Sequence, residues 1–454
     1  MSFVSINPAT GERFAGHPAW GEAEITEALA RAAVAASAWS ARPVQQRCDD
    51  LRRVAEILRG RVAKLAALVT REMGKLQREA RAEVEKCALV CDYYAEHAPA
   101  FLADEAVASD ASRSLVVYQP LGTVLAVMPW NFPLWQVFRF AAPALVAGNT
   151  ALLKHASNTH LCALAIEDVF RDAGLPGGVF QNLMIGASQV AQVIADPRVH
   201  GVALTGSEGA GRQVAAAAGA ALKKTVLELG GSDAFLVLED ADLEFTVAQA
   251  VIARFQNAGQ SCIAAKRFVV VEAIANAFVA RFRDAIARLL PGAPDDPATG
   301  LAPMVRDDQR QALHAQVSRS IALGAERVIG GHPIEGPGFY YAATLLDRVQ
   351  PGMPAYEEEL FGPVAAVIRA RDEEHAVAIA NDSRYGLGGS VWTADPARGE
   401  RVARRLECGC AFVNGVVKSD PRLPFGGVKA SGYGRELALH GLREFVNAKT
   451  LWVR

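Results

Sequence analysis

The chain predicts an α/β protein built on parallel sheets, and three observations carry that expectation. Short apolar runs alternate with helical stretches from about residue 123 onward, and glycine-rich turns punctuate the ends of those runs. Half of the 454 residues are hydrophobic (51%), enough to bury more than one core. Strands covered on both faces read as continuous apolar runs, as Thr150 to Lys154 and Gly201 to Thr205 do. At roughly 150 residues per unit, about three folding units are expected.

Taken in order, Ile6-Asn7-Pro8-Ala9-Thr10-Gly11 reads as a strand and a turn, with Asn-Pro and Thr-Gly as breakers. Glu22 to Ser40 and Val44 to Ala103 are rich in Ala, Glu, Arg and Leu at helical spacing, for example Leu51, Val54, Ile57 and Leu58. They read as amphipathic helices whose charge pairs lie on solvated faces. Leu115 to Tyr118 and Gly122 to Met128 are β-rich runs on either side of a Gln119-Pro120-Leu121 break. Then come Thr150 to Lys154 with a helix to Ala173, Val179 to Ile185 with a helix to Ile194, and Gly201 to Thr205 with a helix to Ala220. Such βαβ units place ligands beyond the carboxyl ends of their strands, where Trp130 with Asn131, Lys154, and Gly206 with Ser207 stand.

A second alternating series follows Glu228-Leu229-Gly230-Gly231: Ala234 to Val237, a helix from Asp242 to Gln256, Arg267 to Val271, and a helix from Ala273 to Leu290. A domain boundary is expected near Gly230. Pro291 to Thr299 is a loop, and the chain closes with the glycine-rich tract Pro424 to Gly434, a helix, and a strand at Lys449 to Val453.

Composition narrows the function. A formal net charge of −2 with 21% charged residues gives no electrostatic footprint for nucleic acid and no polybasic patch for a membrane. No leader-like start or spanning apolar window is evident, so a cytoplasmic protein with a small-molecule partner is expected. The seven cysteines lack paired C-x-x-C units, which argues against a disulfide framework or a zinc site. Cys87 and Cys91, four apart on one helix face, read as packing residues.

One cysteine stands apart. In Phe255-Gln256-Asn257-Ala258-Gly259-Gln260-Ser261-Cys262 a helix is stopped by Asn257 and Gly259, and the sharp turn that follows can present the Cys262 thiol to a cavity. The opposing reading is a buried structural cysteine. An arginine, Arg139, interrupts the otherwise apolar segment Pro133 to Pro143 and would be costly there without an anion. It lies one helical turn after Trp135, so the two share a face. The opposing reading is an internal ion pair.

Pro129-Trp130-Asn131-Phe132-Pro133, Leu204-Thr205-Gly206-Ser207, Glu228-Leu229-Gly230-Gly231, the Asn257 to Cys262 turn, Glu359-Leu360-Phe361-Gly362-Pro363 and Pro424-Phe425-Gly426-Gly427 occur together in one order. Together they resemble the NAD(P)-dependent aldehyde dehydrogenase superfamily across nearly the whole chain. Leu153 to Asn158 and Lys418 to Pro424 resemble its succinate-semialdehyde dehydrogenase branch. The resemblance implies a Rossmann-type dinucleotide-binding domain (1–107 and 123–229), an α/β catalytic domain (230–435) and a small β oligomerisation extension (108–122 and 436–454). It also implies assembly as a homodimer or homotetramer.

The chemistry of the residues agrees with that family. Cys262 suits a nucleophile that forms a thiohemiacetal and then an acyl-thioester. Asn131, with the Cys262 amide, suits an oxyanion hole, its alternative being a helix cap. Glu228 in apolar surroundings suits the base for thioester hydrolysis, its alternative a cap or ion pair. The helix entry Gly206 to Gly211, though without GxGxxG spacing, can offer backbone amides to a pyrophosphate. By resemblance Trp130 and Ser207 contact phosphate, Lys154 the adenosine ribose, and Glu359 with Phe361 the nicotinamide ribose. Glu357-Glu358-Glu359 could equally form a solvated acidic loop. Ser157 stands where NAD-preferring relatives carry a glutamate, so NADP is the expected cofactor, with NAD also accepted. Its alternative is a helix cap. Arg139, Trp135 and Ser419 suit a short ω-carboxylated aldehyde, succinate semialdehyde first and glutarate semialdehyde second. The rival classes are a cofactor-binding relative without activity and a cysteine esterase. No metal is expected.

Overall fold

The computed structural model describes residues 2–454 and divides them between two large sheets and three small ones. The first large sheet runs Gly432–Tyr433, Lys224–Glu228, Val199–Thr205, Thr123–Val127, Thr150–Lys154, Phe180–Asn182. All its neighbours pair parallel except the antiparallel edge strand Gly432–Tyr433. Register brings Val127 beside Lys154 and Leu204, and Thr205 beside Glu228. The carboxyl ends of four strands therefore align, and the loops carrying Asn131, Lys154, Ser207 and Glu228 leave from one rim.

The second large sheet runs Glu326–Ile329, Thr344–Asp347, Val364–Ala370, Ala265–Val271, Asp233–Val237, Gly388–Trp392, Cys410–Val413. It is parallel apart from the first pair. All seven residues of Ala265–Val271 are buried, as a strand covered on both faces must be. Cys262 precedes this strand and Glu359 precedes Val364–Ala370. The second sheet thus offers the amino ends of its strands to the site, whereas the first offers carboxyl ends.

A hairpin of Ser2–Ile6 and Arg13–Pro18 opens the chain, and a third sheet joins Val446–Val453, Arg113–Pro120 and Glu105–Ala106, with Val446–Val453 at an edge. The last strand begins three residues before the expected Lys449, because its ladder to Arg113–Pro120 extends to Pro120. Strand Gly432–Tyr433 lies in a segment expected to belong to the catalytic unit, yet it completes the first sheet. The helices Val62–Met73 and Gln77–Phe101 depart from the expected solvated faces. Glu72, Lys75 and Glu83 are buried, and Lys75 forms an ion pair with Glu83. Cys87 and Cys91 are fully buried core residues, and no cluster of metal-ligating side chains occurs among the described residues. No described helix is long and apolar enough to cross a membrane.

Candidate active site

Helix Leu243–Phe255 aims the chain at the site. Asp242 caps its start, its carboxylate accepting from the Glu244 and Phe245 amides at 3.0 and 3.2 Å. At its other end Asn257, Ala258 and Gly259 adopt φ values of 55°, 52° and 72°. Sequence pointed to Asn257 and Gly259 as the stop; the left-handed run also includes Ala258, which pays for the conformation with order 1–3 kcal/mol of strain.

The surroundings hold that strain. Asn257 Nδ2 donates to the carbonyls of Asn131 and Gln260 at 2.9 and 3.0 Å, and the Glu79 carboxylate accepts the Asn257 amide at 3.1 Å. Fully buried Arg254 donates to the carbonyls of Gly259 and Leu360 at 3.0 Å and to that of Gly362. A Cβ on Gly259 would run into the Gly362 carbonyl, so this position needs glycine.

Cys262 emerges from the turn half-buried and lines two cavities at once. Burial pushes its thiol up to about 12, with the Lys266 and Arg139 charges pulling the other way. Lys266 Nζ donates to the carbonyls of Ser261 and Cys262 at 2.8 and 2.6 Å, fixing the backbone that carries the thiol.

Asn131 is buried. Its Nδ2 donates to Gln260 O at 3.1 Å and its Oδ1 accepts from Gln136 Nε2 at 3.1 Å. An amide nitrogen carries two hydrogens, so one donor is left for an oxyanion. Helix Trp135–Val146 starts beyond Asn131 and its first amides are satisfied instead by Glu83, at 2.9 Å from Leu134 N and 3.0 Å from Trp135 N. The cap reading of Asn131 therefore fails. His155 steadies the same loop through Pro133 O at 2.8 Å, and burial holds its imidazole down at about 4, so the ring is neutral.

Glu228 ends its strand buried, and neither carboxylate oxygen finds a hydrogen-bond partner among the described residues. It is neither a cap nor half of an ion pair. Burial, then the nearby charge of Glu436, raises its pKa well above the ordinary carboxyl value, against the opposing charges of Arg139 and Arg435. A carboxyl raised in this way is a stronger proton acceptor towards water than an ordinary carboxylate.

The first cavity, of about 210 Å³, is lined by Trp130, Asn131, Gly206, Ser207, Gly230, Cys262, Glu359 and Phe361 among others. Trp130 and Phe361 meet edge to face at 5.7 Å between ring centres. Glu359 points inward, not into a solvated acidic loop: Oε1 accepts from Gly231 N at 3.1 Å and pairs with Lys266 at 3.3 Å. Gly230 leaves room for this carboxylate, which a Cβ would strike. Ser207 caps helix Glu208–Ala220, accepting from Ala210 N at 3.3 Å. Lys154 is half-buried, lowered in pKa by burial, and forms no ion pair among the described residues. Ser157 is exposed, and the 3-10 turn it opens is preceded by Ala156, so it caps no helix. A partly buried ammonium without an ion-pair partner, three positions before an exposed serine, has the chemistry to suit a ribose bearing a 2′-phosphate.

The second cavity, of about 170 Å³, is lined by Lys86, Trp135, Gln136, Arg139, Cys262, Ser419 and Phe425 among others. Trp135, Arg139 and Ser419 thus gather there. Arg139, however, is buried in an ion pair with Glu436, donates to Thr205 Oγ1 at 3.3 Å, and lies 4.7 Å from the Phe425 ring centre. The expectation that it stands free for a substrate anion is corrected: its charge already has an internal carboxylate, because burying both groups in apolar surroundings requires them to pair. Ser419 accepts instead from Lys86 Nζ at 2.8 Å.

The aldehyde dehydrogenase family model matches residues 1–451. This chain belongs to the aldehyde dehydrogenase family. It is 51% identical over 453 residues, covering 100% of both chains, to a Synechocystis sp. protein named "Probable succinate-semialdehyde dehydrogenase (NADP+)". It is 50% identical to the succinate semialdehyde dehydrogenase (NAD(P)+) Sad of Escherichia coli strain K12, covering 99% of this chain and 97% of Sad. The crystal structure of succinic semialdehyde dehydrogenase from Streptococcus pyogenes in complex with NADP+ matches 99% of each chain with a TM-score of 0.98 and 39% identity.

Several residues of this dehydrogenase's site escaped sequence reasoning. Lys86, Glu79 and Glu83 sit on a helix whose Ala, Glu and Arg content looks solvated, and only the tertiary fold turns that face inward. Gln136, adjacent to Trp135, was visible as a polar residue in an apolar segment. Glu436 and Lys266 pair with Arg139 and Glu359, but nothing in their spacing announces it.

Proposed function

We propose that this chain oxidises succinate semialdehyde to succinate, with glutarate semialdehyde as the second substrate, using NADP and accepting NAD. The carrying observation is that Cys262 lines both cavities, one fitted to a nucleotide and the other furnished with the Lys86 ammonium and the Ser419 hydroxyl. The names of relatives near 50% identity support the same substrate.

In this reading Trp130, Lys154, Ser157, Gly206, Ser207, Glu359 and Phe361 hold NADP, which supplies the hydride acceptor. Cys262 reacts as the thiolate, its proton passing to solvent, and attacks the aldehyde carbon, forming a C–S bond while the carbonyl oxygen becomes an oxyanion. When that oxyanion re-forms a carbonyl, the aldehyde hydrogen leaves as hydride, for which bound NADP is the acceptor, and a thioester remains. The free Nδ2 hydrogen of Asn131 and the Cys262 amide stabilise that oxygen, a contribution of typically 10²–10³ in turnover per donor. At the thioester stage Glu228 takes a proton from water, the resulting hydroxide adds to the acyl carbon, and the C–S bond breaks to release the carboxylate.

The edge strand Val446–Val453 exposes Leu451, Trp452 and Val453, which supports assembly of copies into a homodimer or homotetramer along that edge. Its seven cysteines are all unpaired, which supports a reducing, cytoplasmic setting.

A panel of aldehydes crossed with NADP and NAD, followed at the reduced-nicotinamide band, tests the reading. The expected order is succinate semialdehyde, glutarate semialdehyde, then butanal, with NADP above NAD. A highest kcat/KM for an uncharged aldehyde overturns the substrate assignment. Ester turnover without cofactor as the main activity overturns the dehydrogenase.

A further inference from the structure

We propose that Lys86, not Arg139, makes the direct contact with the distal carboxylate of the substrate, and so sets the preference for ω-carboxylated aldehydes. The inference rests on the succinate-semialdehyde reading and goes beyond it by naming the residue that carries the selectivity.

Four observations bear it. Lys86 projects from helix Gln77–Phe101 into the cavity that holds Cys262, and Arg139 lines the same cavity. Arg139 is spent on Glu436, whereas Lys86 has no carboxylate at ion-pair distance among the described residues. The Lys86 ammonium is held in place by two uncharged neighbours: it donates to Ser419 Oγ at 2.8 Å and lies 4.2 Å from the Trp135 ring centre. An ammonium has three hydrogens, so two remain for an incoming anion, and the Ser419 hydroxyl hydrogen adds a third donor.

The electrostatics agree. Burial, and then the Arg139 charge, lower the Lys86 ammonium to about 8, partly opposed by Cys87 and Glu83 on its own helix and Asp420 on the facing loop. Glu79 and Glu83 line the same cavity, but Glu83 is paired with Lys75 and Glu79 accepts the Asn257 amide, so Lys86, with no carboxylate at ion-pair distance, gains from one arriving on the substrate. A short dicarboxylic semialdehyde has such a group at its far end.

The test is the ratio of kcat/KM for succinate semialdehyde over butanal, which cancels effects on Cys262 and Glu228 common to both. In Lys86→Met that ratio should fall roughly 30- to 100-fold, as loss of a charge-assisted contact implies, and Lys86→Arg should restore most of it. In the unmodified enzyme the ratio should decline as pH climbs past about 8, where Lys86 loses its proton, and in Lys86→Arg the decline should vanish, because a guanidinium stays charged. If the unmodified enzyme shows no preference for succinate semialdehyde over butanal, the substrate reading fails and this inference with it. If the preference is present but a folded Lys86→Met keeps it, the substrate reading stands and Lys86 is overturned. Should Lys86→Met not fold, Lys86→Gln takes its place in the same comparison, and a folded Lys86→Gln that keeps the unmodified ratio counts against Lys86.

Discussion

The two cavities that meet at Cys262 are made of different material. The cofactor side is assembled from loops at aligned strand ends, where glycines, an aromatic pair and a helix start do the holding. The substrate side is assembled from long charged side chains on two packed helices, Lys86 and Arg139, and a hydroxyl from a distant loop, Ser419. On the first side backbone makes the site, so local motifs encode it. On the second, specificity depends on which charges are already neutralised, and that is a property of the tertiary structure alone.

Five substitutions test that contrast. The largest effect belongs to the shared residue. Cys262→Ala should bring dehydrogenase activity to background with every aldehyde and either cofactor, while Glu228→Gln should still release one equivalent of reduced cofactor per site and leave an acyl adduct on Cys262, to be mapped by mass spectrometry. Normal turnover by folded Cys262→Ala would sink the assignment.

Next is Arg139→Ala, which leaves Glu436 buried without its ion-pair partner and removes one of the two positive charges near Glu228. A loss of about 3–5 kcal/mol in denaturant unfolding is expected, as for breaking a buried pair from one side, with succinate semialdehyde and butanal affected alike. A selective rise in KM for succinate semialdehyde at unchanged stability would return Arg139 to the substrate.

On the cofactor side, Ser157→Glu puts a carboxylate where the 2′-phosphate would lie. The NADP-to-NAD ratio of kcat/KM should drop on the order of tenfold or more, since one like charge at close range costs about 1.4 kcal/mol. An unchanged ratio would mean that Ser157 faces no phosphate.

The smallest effect is a displaced pH profile. Glu436 is a named cause of the high Glu228 pKa, so Glu436→Gln should lower it, and the freed Arg139 charge acts in the same direction. A base works above its pKa, so the acidic limb of the hydrolysis-limited rate should move to lower pH. A shift to higher pH would show that the two carboxylates do not interact as described.

Much of this contrast could be read before any coordinates. The parallel sheets, a helix read to Gln256 and found to end at Phe255, and the placing of Asn131, Lys154, Ser207 and Glu228 at strand ends followed from apolar runs and their punctuation. Lys86 could not be read, because a lysine on an Ala- and Glu-rich helix looks solvated until helix Trp135–Val146 packs against it. Arg139 was recognised as costly in an apolar segment, but its partner lies 297 positions along the chain at Glu436, and no local pattern announces a contact of that span. The rule that ligands gather at carboxyl ends served the first sheet and missed that the second presents its amino ends.

Arg254 has a consequence for how the site comes apart. One guanidinium, held down at about 9 by burial, ties the turn before Cys262 to the Leu360 and Gly362 carbonyls that flank Phe361 and follow Glu359. The nucleophile turn and the nicotinamide-side loop therefore cannot fray separately. In the language of native-state opening they form one cooperative unit, so a fluctuation that exposes the thiol must also loosen the cofactor's grip.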